Sequence, residues 1–123
     1  MGPRSRMGEL EQAVMNTLWG LDDEQWATVR EVHESLSDRR LAYTTVMTVM
    51  DRLARKEYVE QQREGRAYRY RPRVSRADLT AELMRETLSD MAAEERGSAL
   101  VSFVADADEA DIAALRRALG ELA

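Results

Sequence analysis

Apolar residues recur along this chain first with the spacing of helices, then briefly of strands, then of helices again. Leu10, Ala13, Val14, Thr17, Leu18 and Leu21 fall at i, i+3, i+4, i+7, i+8 and i+11, which is one helical stripe. Met15 and Trp19 lie about 40° apart on the opposite side, so this first helix is expected to pack on two faces, with Gly20 as its stop. Asp22-Asp23-Glu24-Gln25 reads as a polar connection and Trp26-Ala27 as one short strand. Thr28 then opens a Thr-x-x-Glu capping box with Glu31, and the helix behind it buries Val29, Val32 and Leu36. His33 sits beside that stripe and reads as a half-buried structural histidine. After a short turn at Ser37-Asp38-Arg39-Arg40, Val46, Val49, Met50 and Leu53 mark one face of a third helix. At 100° per residue, Thr44, Thr48 and Arg55 point almost directly away from that face, with Thr45 and Arg52 flanking them.

Period two replaces the helical period next. Tyr58 to Arg63 reads as a strand, Glu64-Gly65 as a two-residue turn, and Arg66-Ala67-Tyr68-Arg69-Tyr70-Arg71 as the returning strand, ended by Pro72. Its tyrosines are expected to fill the space between hairpin and core. Ser75-Arg76-Ala77-Asp78 is a capping signal for a long helix carrying Leu79, Leu83, Leu88, Met91 and Ala92, broken at Gly97. Ser98 to Val104 forms a short apolar block, and Asp108 caps a last helix with Ile112, Leu115, Leu119 and Leu122. Helix, short strand, helix, helix, hairpin is the order of a winged helix-turn-helix, in which the third helix is dimensioned for a DNA major groove. The predicted fold is mainly α with a small β-hairpin. Residues 1–7 are expected to form a flexible tail, 8–73 a winged-helix DNA-binding domain and 74–123 a helical dimerisation domain.

Charge sharpens this picture. The 123 residues carry a formal net charge of −5, but residues 1–38 are net −5, residues 39–76 net +7 and residues 77–123 net −7. A basic centre between acidic flanks suits a polyanion. With no cysteine and one histidine, disulfides, Cys-ligated zinc, thiol catalysis and a His-based triad are excluded or left without partners, and the many carboxylates have no glycine-rich phosphate loop beside them. The expectation is therefore no enzyme, no cofactor and no metal. No apolar run approaches ~18 residues, and Met1 to Arg6 has no apolar stretch behind it, so neither a membrane span nor a signal peptide is expected, and the chain reads as cytoplasmic.

The chemistry follows from the third helix. Arg39, Arg40 and Tyr43 stand at its start. Thr44, Thr45 and Thr48 suit base edges, phosphates and thymine methyls, and β-branched residues are poor choices for an ordinary exposed helix. Arg52 can reach a guanine edge or a phosphate, Arg55 and Lys56 are expected to follow the backbone, and Arg63 and Arg66 give the hairpin a basic tip. About fifty residues cannot easily bury two or three helices alone, so Leu79, Leu83, Leu88, Leu100, Val101, Phe103, Val104, Ile112, Leu115 and Leu119 are expected to join a twin chain. A winged helix serving only as a protein-interaction module is the alternative reading.

These features resemble the BlaI/MecI family of bacterial repressors. The resemblance is carried by Ala13-Val14-Met15…Leu18-Trp19 and Thr28-Val29-Arg30-Glu31-Val32, and most strongly by Thr44-Thr45-Val46-Met47-Thr48-Val49-Met50-Asp51-Arg52-Leu53 with Lys56 and Tyr58. The wing Gly65 to Pro72 and the closing Leu115-Arg116-Arg117-Ala118-Leu119 add to it, so it runs from about residue 8 to 120. It implies a homodimeric repressor of β-lactamase or related resistance genes on an inverted-repeat operator. It also implies a membrane sensor-protease that triggers cleavage in the dimerisation helices, commonly at an Asn-Phe bond. The matching dipeptide here is Ser102-Phe103, with serine in place of asparagine. The family's copper-responsive branch carries C-terminal cysteines, and their absence here argues against that branch.

Overall fold

The computed structural model describes residues 7–22 and 24–122, so most of the expected N-terminal tail, and Asp23 in the first connection, lie outside the described residues. The chain divides into two compact units, the first ending at Glu86 and the second starting at Thr87.

In the first unit, α1 (Glu9–Trp19) starts where the Glu11 carboxylate accepts the Gly8 backbone N–H at 2.9 Å. β1 (Ala27–Thr28) leads into α2 (Val29–Ser35), where the predicted capping box closes both ways. The Glu31 N–H donates to Thr28 Oγ1 at 3.1 Å, and the Thr28 N–H donates to Glu31 Oε1 at 2.8 Å. A single 3-10 turn at Ser37–Arg39 ends with Arg40 in the left-handed region, φ 55°. It is followed by α3 (Tyr43–Arg55). This helix ends in a Schellman arrangement: Glu57 takes φ 65°, its N–H reaches Ala54 O at 3.0 Å, and the Tyr58 N–H reaches Leu53 O at 3.0 Å. The chain therefore reverses sharply into β2 (Val59–Glu64).

β2 pairs antiparallel with β3 (Ala67–Pro72), and β1 adds to the far side of β3, giving the order β1-β3-β2. Glu64 pairs with Ala67, so the two-residue loop is Gly65-Arg66, one position later than the sequence suggested. Gly65 takes φ 64° at the first loop position while Arg66 keeps a negative φ, the II′ geometry that places glycine first. The core beneath is built from Val14, Met15 and Leu18 of α1, Val32 of α2, the α3 stripe, Tyr58, Val59 and Tyr70. Burial on both sides of α1 agrees with the two-faced pattern, and Trp19 Nε1 donates to Val74 O at 3.0 Å.

α4 (Arg76–Ser89) starts on the predicted Ser75 cap, whose Oγ accepts the Asp78 N–H at 3.0 Å. Here two expectations give way. Leu79 is 2% exposed inside the first unit's own core, so it has no surface left for a twin chain, whereas Leu83 is half-buried against the same core. The helix also ends at Ser89 rather than at Gly97. Gly97 lies within α5 (Ala93–Ala105), because one glycine costs a helix only ~1 kcal/mol, whereas Ala92 in the extended region (ψ 155°) breaks it outright. α6 (Glu109–Leu122) opens with the Asp111 N–H on Asp108 Oδ1 at 2.8 Å, as the sequence predicted. α5 and α6 have no fully buried residue.

Removing Leu79 methyls should therefore act on the first unit. Leu79→Ala is expected to lower stability by about 2–4 kcal/mol in chemical denaturation, with a loss that does not depend on protein concentration.

Candidate nucleic-acid interface

α3 is anchored from below by Val46, Val49, Met50 and Leu53, all buried. That anchoring turns Thr44, Thr48, Arg52 and Arg55 outward, while Thr45 is half-buried on the flank. Thr48 Oγ1 donates to Thr44 O at 2.9 Å, which commits its hydroxyl hydrogen to the helix and leaves its lone pairs to accept. Toward a base edge, Thr48 is thus an acceptor with a methyl group beside it.

The entry to α3 is set by His33. Its Nε2 lies 2.8 Å from Leu41 O, and a carbonyl only accepts, so Nε2 carries the hydrogen. The same ring meets Tyr43 edge-on, with centroids 5.7 Å apart at 76°. His33 is therefore a structural residue that ties α2 to the turn before α3 and steers the exposed Tyr43.

Two expected DNA-facing cations are otherwise engaged. Lys56 Nζ bonds both Glu11 oxygens, at 3.1 and 2.9 Å, with the lysine side chain 18% and the glutamate 6% exposed. Arg39 reaches Glu9 at 2.7 Å. The pairs tie the turn before α3 and the end of α3 to α1; the nearly buried Lys56–Glu11 pair turns that cation away from a phosphate, whereas the exposed Arg39–Glu9 pair is a weak link. Arg55 pairs with Asp51 at 3.1 Å across one exposed helical turn, a weak link. Arg40, Arg52 and Arg66 have no ion-pair partner among the described residues.

The hairpin sorts its arginines by position. Arg69 and Arg71 lie over the Trp26 ring at 5.0 and 4.4 Å and pair with Glu64 and Glu60, so they brace the sheet. Arg63 Nε donates to Gly65 O at 3.0 Å and, with Arg66, occupies the tip. Tyr70 is buried, and Gln61 Nε2 donates to its hydroxyl at 2.9 Å. Burial holds its phenol above the ordinary range, and the Gln61 bond only partly offsets this. Tyr68 corrects the sequence reading: two residues nearer the tip, it has left the core and is 43% exposed. Met47 borders the α3 stripe, so its spacing gives no sign that it is 44% exposed. Trp26 was read only as strand, and nothing in its local pattern signals two arginines stacked on it.

In the second unit, Leu100, Val101, Phe103 and Val104 of α5 and Leu119 and Leu122 of α6 are exposed. Leu88, Ile112 and Leu115 are half-buried. Ser102 and Phe103 lie within α5.

The penicillinase repressor family model matches residues 7–121, nearly the whole chain. The chain belongs to the penicillinase repressor family. It is 55% identical to the transcriptional regulator BlaI of Mycobacterium tuberculosis, an alignment covering 99% of this chain and 88% of that protein. The solution structure of the DNA-binding domain of the repressor BlaI superposes with a TM-score of 0.53 at 25% identity, covering 63% of this chain and 93% of that domain. MepR, a transcription regulator of a Staphylococcus aureus multidrug efflux pump, shares the fold alone, with a TM-score of 0.50 at 14% identity over 80% of this chain and 76% of its own. The protein is accordingly a BlaI-like transcriptional repressor with a winged-helix fold, and its family is not one of enzymes. No helix among the described residues is long and apolar enough to cross a membrane.

The Glu11–Lys56 pair generates a direct check of the reassigned cation. Lys56→Met should cost about 2 kcal/mol of stability, less than the ~3–5 of a fully buried broken pair. It should leave the salt dependence of duplex binding unchanged, as read by denaturation and by fluorescence anisotropy across a salt series.

Proposed function

We propose that this repressor acts in the cytoplasm as a homodimer on an inverted-repeat operator in double-stranded DNA. In this reading α3 of each copy lies in the major groove and the Gly65-Arg66 tip touches the flanking backbone. The observation that carries it is the outer face of α3, where Thr44, Thr48 and Arg52 stand exposed on a helix whose opposite side is core. Thr44, Thr45, Thr48 and Tyr43 read bases. Arg40, Arg52, Arg55, Arg63 and Arg66 bind phosphates or guanine edges, since affinity comes chiefly from backbone charge and discrimination from base contacts.

The second unit supplies the pairing. Helices with no buried side chain and a cluster that includes Phe103, 52% exposed, need a partner surface, and an identical copy meets that need with two-fold symmetry. Pairing presents two α3 helices one helical turn apart, and the acidic charge of residues 77–123 favours a position away from the duplex. The regulated genes are of the β-lactamase or envelope-stress class, and release follows loss of the dimer, with a membrane sensor-protease as trigger. The Ser102–Phe103 bond lies in a regular helix, so cleavage there requires α5 to open locally first.

Three outcomes test this. Thr48→Ala should lose about 1–2 kcal/mol of discrimination between operator and random duplex, with random-duplex affinity nearly unchanged. Arg66→Ala should weaken both alike. If each subunit neutralises about four phosphates, the wild-type log–log salt slope is roughly −7, and Arg66→Ala reduces its size by about 2 across the two subunits. Phe103→Glu should raise the dimer dissociation constant by ~100-fold or more in sedimentation, because a carboxylate enters an apolar contact. Equal losses of Thr48→Ala on both duplexes would remove that residue as a base reader.

A further inference from the structure

The outer face of α3 has an apolar border that the hydroxyls and cations do not explain. Met47 lies one turn beyond Tyr43 on the same side of the helix, about 6 Å along the axis. Both are exposed although large and apolar, and Tyr68 of β3 is exposed opposite them. Together they line a groove of about 380 Å³ between α2, α3 and the wing, floored by Val29 and rimmed by Arg30 and Arg66. Arg66 has no ion-pair partner among the described residues, and Arg30 has only a long, exposed 3.6 Å contact with Glu34.

An apolar floor with a cationic rim, beside hydroxyls suited to base edges, matches one feature of duplex DNA. Thymine is the base whose major-groove edge carries an apolar group, the 5-methyl, and phosphates run along either side of that groove. The methionine thioether is flexible and polarisable, so it can close around a methyl group without exact preformed geometry. We propose that Met47, supported by Tyr43 and Tyr68, is a specificity-determining residue that reads a thymine 5-methyl group in each operator half-site while Arg66 and Arg30 hold the adjoining backbone. This rests on the placement of α3 in the major groove proposed above.

The test begins with the full-length protein selecting duplexes from a random-sequence library. Each thymine of the selected sequence is then replaced in turn by uracil, which removes only the methyl. At one position per half-site, wild-type binding should weaken about fourfold, the transfer value of one methyl group. With both half-sites replaced, the loss should be about fifteenfold, since separate positions act nearly additively. Met47→Ala and the equal-length Met47→Gln should bind thymine and uracil duplexes within about twofold of each other at that position. Their melting temperatures should stay at wild-type values, which shows that the fold is intact. A wild-type protein indifferent to uracil everywhere overturns the inference and leaves the base-reading role of Thr44 and Thr48 standing. A uracil penalty that persists in both Met47 variants also overturns it, because another residue then reads the methyl. A library that yields no preferred sequence overturns the placement of α3 and this inference with it.

Discussion

One helix must satisfy two environments at once. α3 buries Val46, Val49, Met50 and Leu53 in the only core the first unit has among the described residues, and the same backbone presents Thr44, Thr48 and Arg52 to whatever lies outside. Neither face can change orientation without the other, because successive side chains are fixed at 100° around the axis. The rest of the first unit immobilises this helix at both ends. At its start, the His33–Leu41 hydrogen bond holds the preceding turn. At its end, the Schellman turn at Glu57 and the Lys56–Glu11 pair hold the last residues against α1. A recognition surface fixed this way loses little conformational freedom on binding, and that freedom is a main cost of association.

The arginines and lysine of the basic segment fall into two groups with different physics. Arg39, Lys56, Arg69, Arg71, Arg73 and Arg76 face carboxylates or an indole ring within the chain. Arg40, Arg52, Arg63 and Arg66, and Arg55 with its weak exposed link to Asp51, are left before and along α3 and at the hairpin tip, where neutralising a polyanion costs little internal pairing. Net charge by segment points to the polyanion correctly but overstates the number of cations available for it. The second unit differs: it is acidic and carries exposed apolar side chains on α5 and α6.

Most of the fold was legible because local signals agreed with one another. The Thr28–Glu31 box, the Ser75 and Asp108 caps and the α3 stripe each depend on residues within a few positions, and each formed as read. What stayed hidden depends on distant neighbours. Whether Lys56 meets a phosphate or Glu11 is decided by α1, forty-five positions away. Whether Leu79 serves the first unit's core or a partner is decided by how the chain returns after the hairpin. Tyr68 and Tyr70 share one strand face, yet only Tyr70 lies far enough from the tip to be covered. Periodicity gives the face of a strand and says nothing about where the core ends along it. Gly97 shows the opposite error, a local breaker overruled by good helix formers around it.

The absence of cysteine makes the central claim directly measurable. A single cysteine introduced as Thr44→Cys, carrying an iron chelate that cleaves nearby DNA, reports where α3 lies on a bound duplex. Cuts should cluster in two symmetric groups about one helical turn apart, ~10 base pairs, and the same reagent on Gly120→Cys in α6 should give none. Cleavage from α6 but not from α3 would contradict the account.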